Sequence, residues 1–214
     1  MTSARAFFDA IAPFYDRDYA LPTALTRERM ARVLGELTGL RRVLVLGVGT
    51  GRELPYLLDA GHDVTGIDVS PAMIAECNKR SRRIPLVMGD FFEALPFPSE
   101  TFDAAVALHG TLAHPEADGA FARLAAELGR VLAPGGVFVA EVPAADGLAH
   151  IAAGGPLALT GPTSFVHQDA RSGIAIGGVA LSAAEWCAAF APALEATATP
   201  LGPVELLLVA KRRP

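Results

Sequence analysis

Cysteine is scarce in this chain, with only Cys77 and Cys187 among 214 residues. Two thiols cannot build a disulfide framework, and neither sits in a CxxC or His-containing spacing, so no structural zinc is expected. Long apolar runs are missing too. The N-terminus "MTSARAFFDAIAPFYDRDY" has no continuous apolar segment behind a basic start, and no later run approaches the roughly 18 residues that cross a bilayer. A soluble, cytoplasmic protein without a membrane partner is the expectation. Basic charge is also thin: the net charge is −5, and only the tail "KRRP" is locally basic. That balance argues against a nucleic-acid partner and leaves room for a small acidic or neutral ligand. Internal repeats and low-complexity linkers are absent. With 51% hydrophobic residues the chain can bury one substantial core, so residues 1–214 read as a single domain.

What is present is an alternation of short apolar runs with helical stretches, the signature of an α/β fold around a mostly parallel sheet. Strands are expected at 41–48, 63–68, 84–89, 102–109 and 136–142, with two more at 194–201 and 204–212. Helices fit 51–60, 71–82 (Ser70 as cap and Pro71 at its first position) and 116–132, which "APGG" stops. Two amphipathic helices, 3–15 and 23–38, precede the first strand within an N-terminal cap (1–39). The connection "DFFEALPFPSET" has room for a short helix at most. Residues 40–142 form the regular core, whereas the glycine-rich segment 143–181 breaks its rhythm and ends in a possible hairpin. A connection this long serves as a lid, a mobile loop or a substrate-side insertion. The segment 182–214 then resumes the pattern with a Ser182–Glu185 capping box.

The stretch "VLVLGVGTGRE" places Gly47, Gly49 and Gly51 directly after the first strand. No Lys follows the glycines, which removes the P-loop, and Arg52 stands where a dinucleotide fingerprint needs its third glycine. A GxGxG turn remains, in which backbone approaches a ligand closely. Asp68 ends the next strand, seventeen positions after Gly51, where a carboxylate can accept from both hydroxyls of a ribose. It could also serve as a first-turn acid, but Ser70 already fills the cap. Asp90 ends the third strand beside Phe91 and Phe92, an acid for an exocyclic amine next to apolar cover for a flat ring. Taken alone it could be a turn residue.

In order and spacing, "VLVLGVGTG", "VTGIDVSPAMI", "VMGDFFEALPF", "TFDAAVALHGTLAH" and "ELGRVLAPGGVFV" resemble the successive motifs of class I S-adenosylmethionine-dependent methyltransferases. The resemblance covers roughly residues 40–142. It implies a Rossmann-like seven-stranded sheet of order 3-2-1-4-5-7-6, strand 7 antiparallel, with helices on both faces. The cofactor would be S-adenosyl-L-methionine, leaving as S-adenosyl-L-homocysteine. Gly47, Val48, Gly49 and Gly51 would line its methionine part, Asp68 the ribose, and Val69 and Met73 the adenine, whose edge Asp90 and the Phe91 backbone would read. Tyr15, in a helix that resembles the one closing over the cofactor in many small-molecule members, would add a contact. His109 and Gly110 would face the methyl donor. One departure stands out: the acidic residue usual two positions before the first glycine is Val45 here.

Methyl transfer requires chiefly that an acceptor be aligned behind the sulfur, with a base only where the acceptor must lose a proton. Four histidines fall near that place. His109 is favoured as a catalytic group and His167 follows; His114 reads as packing, and His150 as a solvated insertion residue. Asp16 and Glu141 are weaker candidates, and Trp186 with Phe190 reads as core. The insertion, rich in Ala, Gly, Leu and Ile, suits a modest apolar or aromatic small molecule. The expected function is therefore methylation of a small-molecule acceptor at O, N, S or C by a monomer or homodimer. The alternative is a cofactor-binding protein of the same fold with a non-methylating or regulatory role. A nicotinamide oxidoreductase is disfavoured by Arg52, and a non-catalytic interaction domain by the strand-end acids.

Overall fold

A computed structural model of the chain describes residues 2–81, 83–149 and 157–214. Its frame is a seven-stranded sheet made by β1 (Arg42–Leu46), β2 (Asp63–Asp68), β3 (Leu86–Met88), β4 (Phe102–Ala107), β5 (Leu132–Pro143), β9 (Glu195–Pro200) and β10 (Glu205–Lys211). The spatial order is β3-β2-β1-β4-β5-β10-β9, with the first five parallel and β10 antiparallel to both neighbours. This is the Rossmann-like order expected.

Covering both faces of a parallel sheet requires strands that are apolar on both sides, which is why β1 reads as unbroken aliphatic sequence. Val43 and Val45 face a cluster with Met30 and Val33 of α3 (Thr23–Glu36), Leu37 at its C-terminal cap, and Leu54 and Leu57 of α4 (Leu54–Asp59). Leu44 and Leu46 face the opposite cluster, which includes Leu124 and Leu128 of α6 (Ala120–Val131) and Trp186 and Phe190 of α7 (Ala183–Phe190). Trp186 is fully buried and its indole N–H donates to Pro143 O at 3.0 Å, so it is core, as the helical spacing suggested. Truncating such a residue to Ala costs about 3–5 kcal/mol. The Ser182–Glu185 capping box is present at the start of α7.

Local chemistry moved several boundaries. Pro13 falls inside the stretch expected as one helix, and the chain divides there into α1 (Ala4–Ile11), a 3-10 turn and α2 (Tyr15–Asp18). The helix expected from 51 begins only at Leu54, because the glycine turn occupies the preceding residues. Leu132 pairs with Phe102 before a register irregularity, which extends β5 backwards through "APGG". Ser70 caps α5 (Pro71–Arg80) by accepting from Met73 N at 3.1 Å.

The expected hairpin within 143–181 is part of a three-stranded antiparallel sheet, β6 (Leu157–Leu159), β7 (Ser164–Gln168) and β8 (Ala175–Val179). Both ends of this segment meet: Ala145 N donates to Leu181 O at 3.1 Å, and Ala144 N to Val204 O at 3.0 Å in the β9–β10 turn. Ile176 of β8 joins Phe7 and Ile11 of α1 and Met73 of α5 in a separate apolar cluster. That cluster holds the N-terminal helices and the small sheet over the carboxyl ends of the main strands. Among the described residues no helix is long and apolar enough to cross a membrane.

Candidate active site

The strand ends of β1, β2 and β3 and the turn after β4 surround one cavity, with about 950 Å³ free of protein atoms including its open mouth. Gly47, Gly49 and Gly51 all have positive φ, 62°, 55° and 73°, a backbone conformation that side chains disfavour. They serve three different ends. A Cβ on Gly47 would lie 2.4 Å from Thr111 Cγ2, so this glycine lets the turns after β1 and β4 touch. A Cβ on Gly51 would collide with Cys77 Sγ and Leu54 Cδ1 at 2.7 Å, so it serves the packing of α4 and α5. Only at Gly49 would the Cβ meet nothing nearer than Gly47 O at 3.9 Å. Val48 continues the strand, its N–H donating to Ile67 O, while its side chain fits against Gly66. Val48 and Gly51 therefore do not line the large cavity; they border a smaller one beside it.

Asp68 is 6% exposed and faces the large cavity. Gly49 N donates to its Oδ2 at 2.8 Å and Ser70 N to its Oδ1 at 2.9 Å. Burial pushes its pKa up, against the lowering effect of those backbone bonds. Each oxygen keeps a further lone pair for a ligand hydroxyl. Val69, Met73, Asp90 and Phe91 line the same side, with Asp90 Oδ1 accepting from Phe92 N at 2.8 Å. The thiol of Cys77, buried behind this wall, is pushed up to about 11 by burial and is no nucleophile at neutral pH.

The opposite side is built from Phe7, Phe8, Ile11, Tyr15 and Tyr19 of the N-terminal segment, His109 and His114 after β4, and His167 of β7. Asp9 anchors α1 by accepting from Ser70 Oγ at 2.6 Å and Ala72 N at 3.1 Å. Asp16 accepts from Thr50 Oγ1 and pairs with Arg80, which corrects its candidacy as a base: it ties α2 to the glycine turn. Tyr19 stacks on Tyr15, with centroids 5.2 Å apart, and donates to Asp169 Oδ2 at 2.8 Å.

The histidines differ in their partners. His109, with φ 55°, is held by its N–H donating to Glu141 Oε2 at 2.8 Å, while its Nε2 lies 2.6 Å from Glu53 Oε1. Glu141 is 2% exposed and does not line the cavity, so it supports His109 and is no base for an acceptor. His114 lines the cavity, contrary to its reading as mere packing, with Nδ1 2.8 Å from Gly177 O. A carbonyl only accepts, so Nδ1 carries the proton and Nε2 is the basic nitrogen of the neutral ring. Burial, and the charge of His167, push His114 below its usual value against the raising effect of that bond. Burial likewise lowers His167, partly offset by Asp169. His150 lies outside the described residues. Asp9, Glu53 and the aromatic pair Phe7–Phe8 were not anticipated. The one local sign was Glu53, an acid two residues after the last glycine.

Residues 43–136 match the family described as methyltransferase domain. An 18S rRNA (guanine-N(7))-methyltransferase of Bos taurus is 42% identical over 66 residues, 31% of this chain and 24% of that protein. A demethylmenaquinone methyltransferase of Renibacterium salmoninarum is 34% identical over 137 residues, 63% of this chain and 56% of that protein. The chain thus spans about half or less of the length of these curated relatives. The solved DhpI–SAM–HEP complex superposes with a TM-score of 0.75 at 22% identity, covering 100% of both chains, a likeness of fold. The domain match over residues 43–136 and the strand order agree, and both are consistent with the class I S-adenosylmethionine-dependent methyltransferases.

Proposed function

We propose that the protein uses S-adenosylmethionine to methylate a small molecule. The observation that carries this reading is the large cavity itself: a bare glycine backbone and a buried strand-end carboxylate on one side, aromatic rings and two imidazoles whose protonation burial disfavours on the other. The residues fit the cofactor. Asp68 would accept the ribose hydroxyls, Val69, Met73 and Phe91 would cover the adenine, Asp90 would read its edge, and Gly47 and Gly49 would admit the chain leading to the sulfur. The bound cofactor supplies an electrophilic methyl group on a sulfonium. The remaining work falls to this chain's own side chains: Phe7, Phe8 and Tyr19 exclude water and orient a flat or apolar acceptor, and orientation is the main source of rate in a displacement. His114, through Nε2, and His167 are placed to take a proton where the acceptor must lose one.

A small, weakly charged acceptor is supported by the apolar lining, by the chain's net negative charge, and by the demethylmenaquinone enzyme among its relatives. The rRNA relative matches only 66 residues and carries no argument about the acceptor. Calorimetric titration should show S-adenosylhomocysteine binding at micromolar levels, weakened at least about tenfold by Asp68→Ala through loss of hydrogen bonds to a charged group. Folded protein that binds neither form of the cofactor would sink the reading. Binding without label transfer from methyl-labelled cofactor to any acceptor in a broad panel would favour the non-methylating alternative.

A further inference from the structure

The glycine turn has a second side. Around it, sharing Tyr15, Gly47, Gly49 and His109 with the large cavity, runs the smaller cavity that Val48 and Gly51 border. Val45 forms part of its lining and is aliphatic and 5% exposed. The charged side chains along it are Arg52 and Glu53, with His109 between Glu53 and Glu141. All three are largely enclosed, at 15%, 13% and 16% side-chain exposure.

S-adenosylmethionine is an adenosine joined through sulfur to an α-amino acid, so its far end carries an ammonium and a carboxylate. Leaving either unpaired in an enclosed arm lined by Val45 would be costly, and each needs an opposite charge. On the basis of the proposed function, we infer that Glu53 receives the cofactor's ammonium and Arg52 its carboxylate, with His109 as the positioning residue that fixes Glu53. The two side chains have capacity for this. Glu53 Oε1 accepts from Arg52 Nε at 2.8 Å and from His109 Nε2 at 2.6 Å, while Oε2 accepts nothing among the described residues. Arg52 donates through Nη1 to Tyr19 O at 2.8 Å, its guanidinium lies 5.0 Å from the centre of the Tyr15 ring, and Nη2 has no partner among the described residues. His109 has a left-handed backbone and its ring reaches Glu53 at the start of α4, while the bonds from His109 N and Gly110 N to Glu141 hold its backbone. A carboxylate brought from the start of α4 thereby does the work that Val45, on the strand, has no group to do.

The test compares two ligands that differ only at this end, S-adenosylhomocysteine and 5′-methylthioadenosine, which keeps the adenosine and sulfur without the amino acid. Titrated calorimetrically into the intact protein, Glu53→Gln should weaken S-adenosylhomocysteine by roughly ten- to hundredfold, the range for losing a bond to a charged group. Its affinity for methylthioadenosine should stay within about twofold, since neither ligand group there meets Glu53. Arg52→Met should behave the same way, and preserved methylthioadenosine binding shows that each variant is folded. Equal weakening of both ligands, or no effect on either, overturns the assignment. Wild-type protein that binds methylthioadenosine as tightly as S-adenosylhomocysteine overturns it alone, whereas wild-type protein that binds neither overturns the proposed function with it.

Discussion

The two sides of the large cavity are made on different terms. The strand side draws on residues 47–92, close in sequence, and presents backbone groups and two carboxylates, Asp68 and Asp90, at strand ends that the parallel register fixes. The cap side draws side chains from α1, α2, the turn after β4 and β7, segments as far apart as Phe7 and His167. These are held by separate polar ties: Tyr19 to Asp169, Arg171 to Asp18, Asp9 to Ser70, and Thr2 N to Ala175 O. The first side fails as a unit, because strain at one turn residue moves every contact. On the second, each tie is a separate bond between different elements, so that side can change piece by piece while the first stays intact.

The sharpest way to break the comparison is Gly49→Val. A β-branched residue at φ 55° is a genuine backbone outlier, and its Cβ would project into the space beside the turn, where Gly47 O at 3.9 Å is the nearest atom. S-adenosylhomocysteine affinity should fall by about a hundredfold or more, read by calorimetry, from strain of a few kcal/mol plus direct obstruction. Near-normal binding would mean the turn is no more constrained than the cap. Tyr19→Phe asks the opposite question. It removes the bond to Asp169 and should lower thermal stability by about 1 kcal/mol while cofactor affinity stays within about twofold. A large loss of cofactor binding in this variant would show that the two sides are not independent. The smallest effect concerns pH. His114 and His167 are depressed below 6.5 in the folded protein, so the unfolded chain takes up protons first as pH falls. Their contribution to stability is complete above 6.5 and is lost as pH drops toward the folded values. Thermal melts from neutral to mildly acidic pH should show this decline, and His114→Gln should flatten it. An unchanged slope would mean that the cap does not bury its imidazoles.

How much of this was legible follows the same division. The run 63–68 became β2 residue for residue, and Asp68 stands at its end, because strand period and glycine punctuation are local signals. Of the three-stranded sheet only a hairpin was legible, because its own glycines blur the strand pattern. Gly178 offers no side chain to a strand pattern, yet in the structure it seats the ring of Phe165: a Cβ there would lie 2.4 Å from Phe165 Cζ. His114 is set by a carbonyl 63 residues away, and Glu53 by an imidazole 56 residues away, distances over which residue spacing carries no information. Gly51 was legible as necessary but not for its reason, since Cys77 and Leu54 approach it only once α4 and α5 are packed.

The meeting of the two ends of the 143–181 segment, where Ala145 bonds to Leu181 and Ala144 to the β9–β10 turn, has a meaning for descent and for engineering. A loop that leaves and returns at one point is a cassette. Doubling its length changes the closure entropy by only about 0.6 kcal/mol, so a lineage can exchange the whole piece without renegotiating the sheet beneath. The three-stranded sheet is thus a replaceable part, clipped to a frame that has no need to know what it carries.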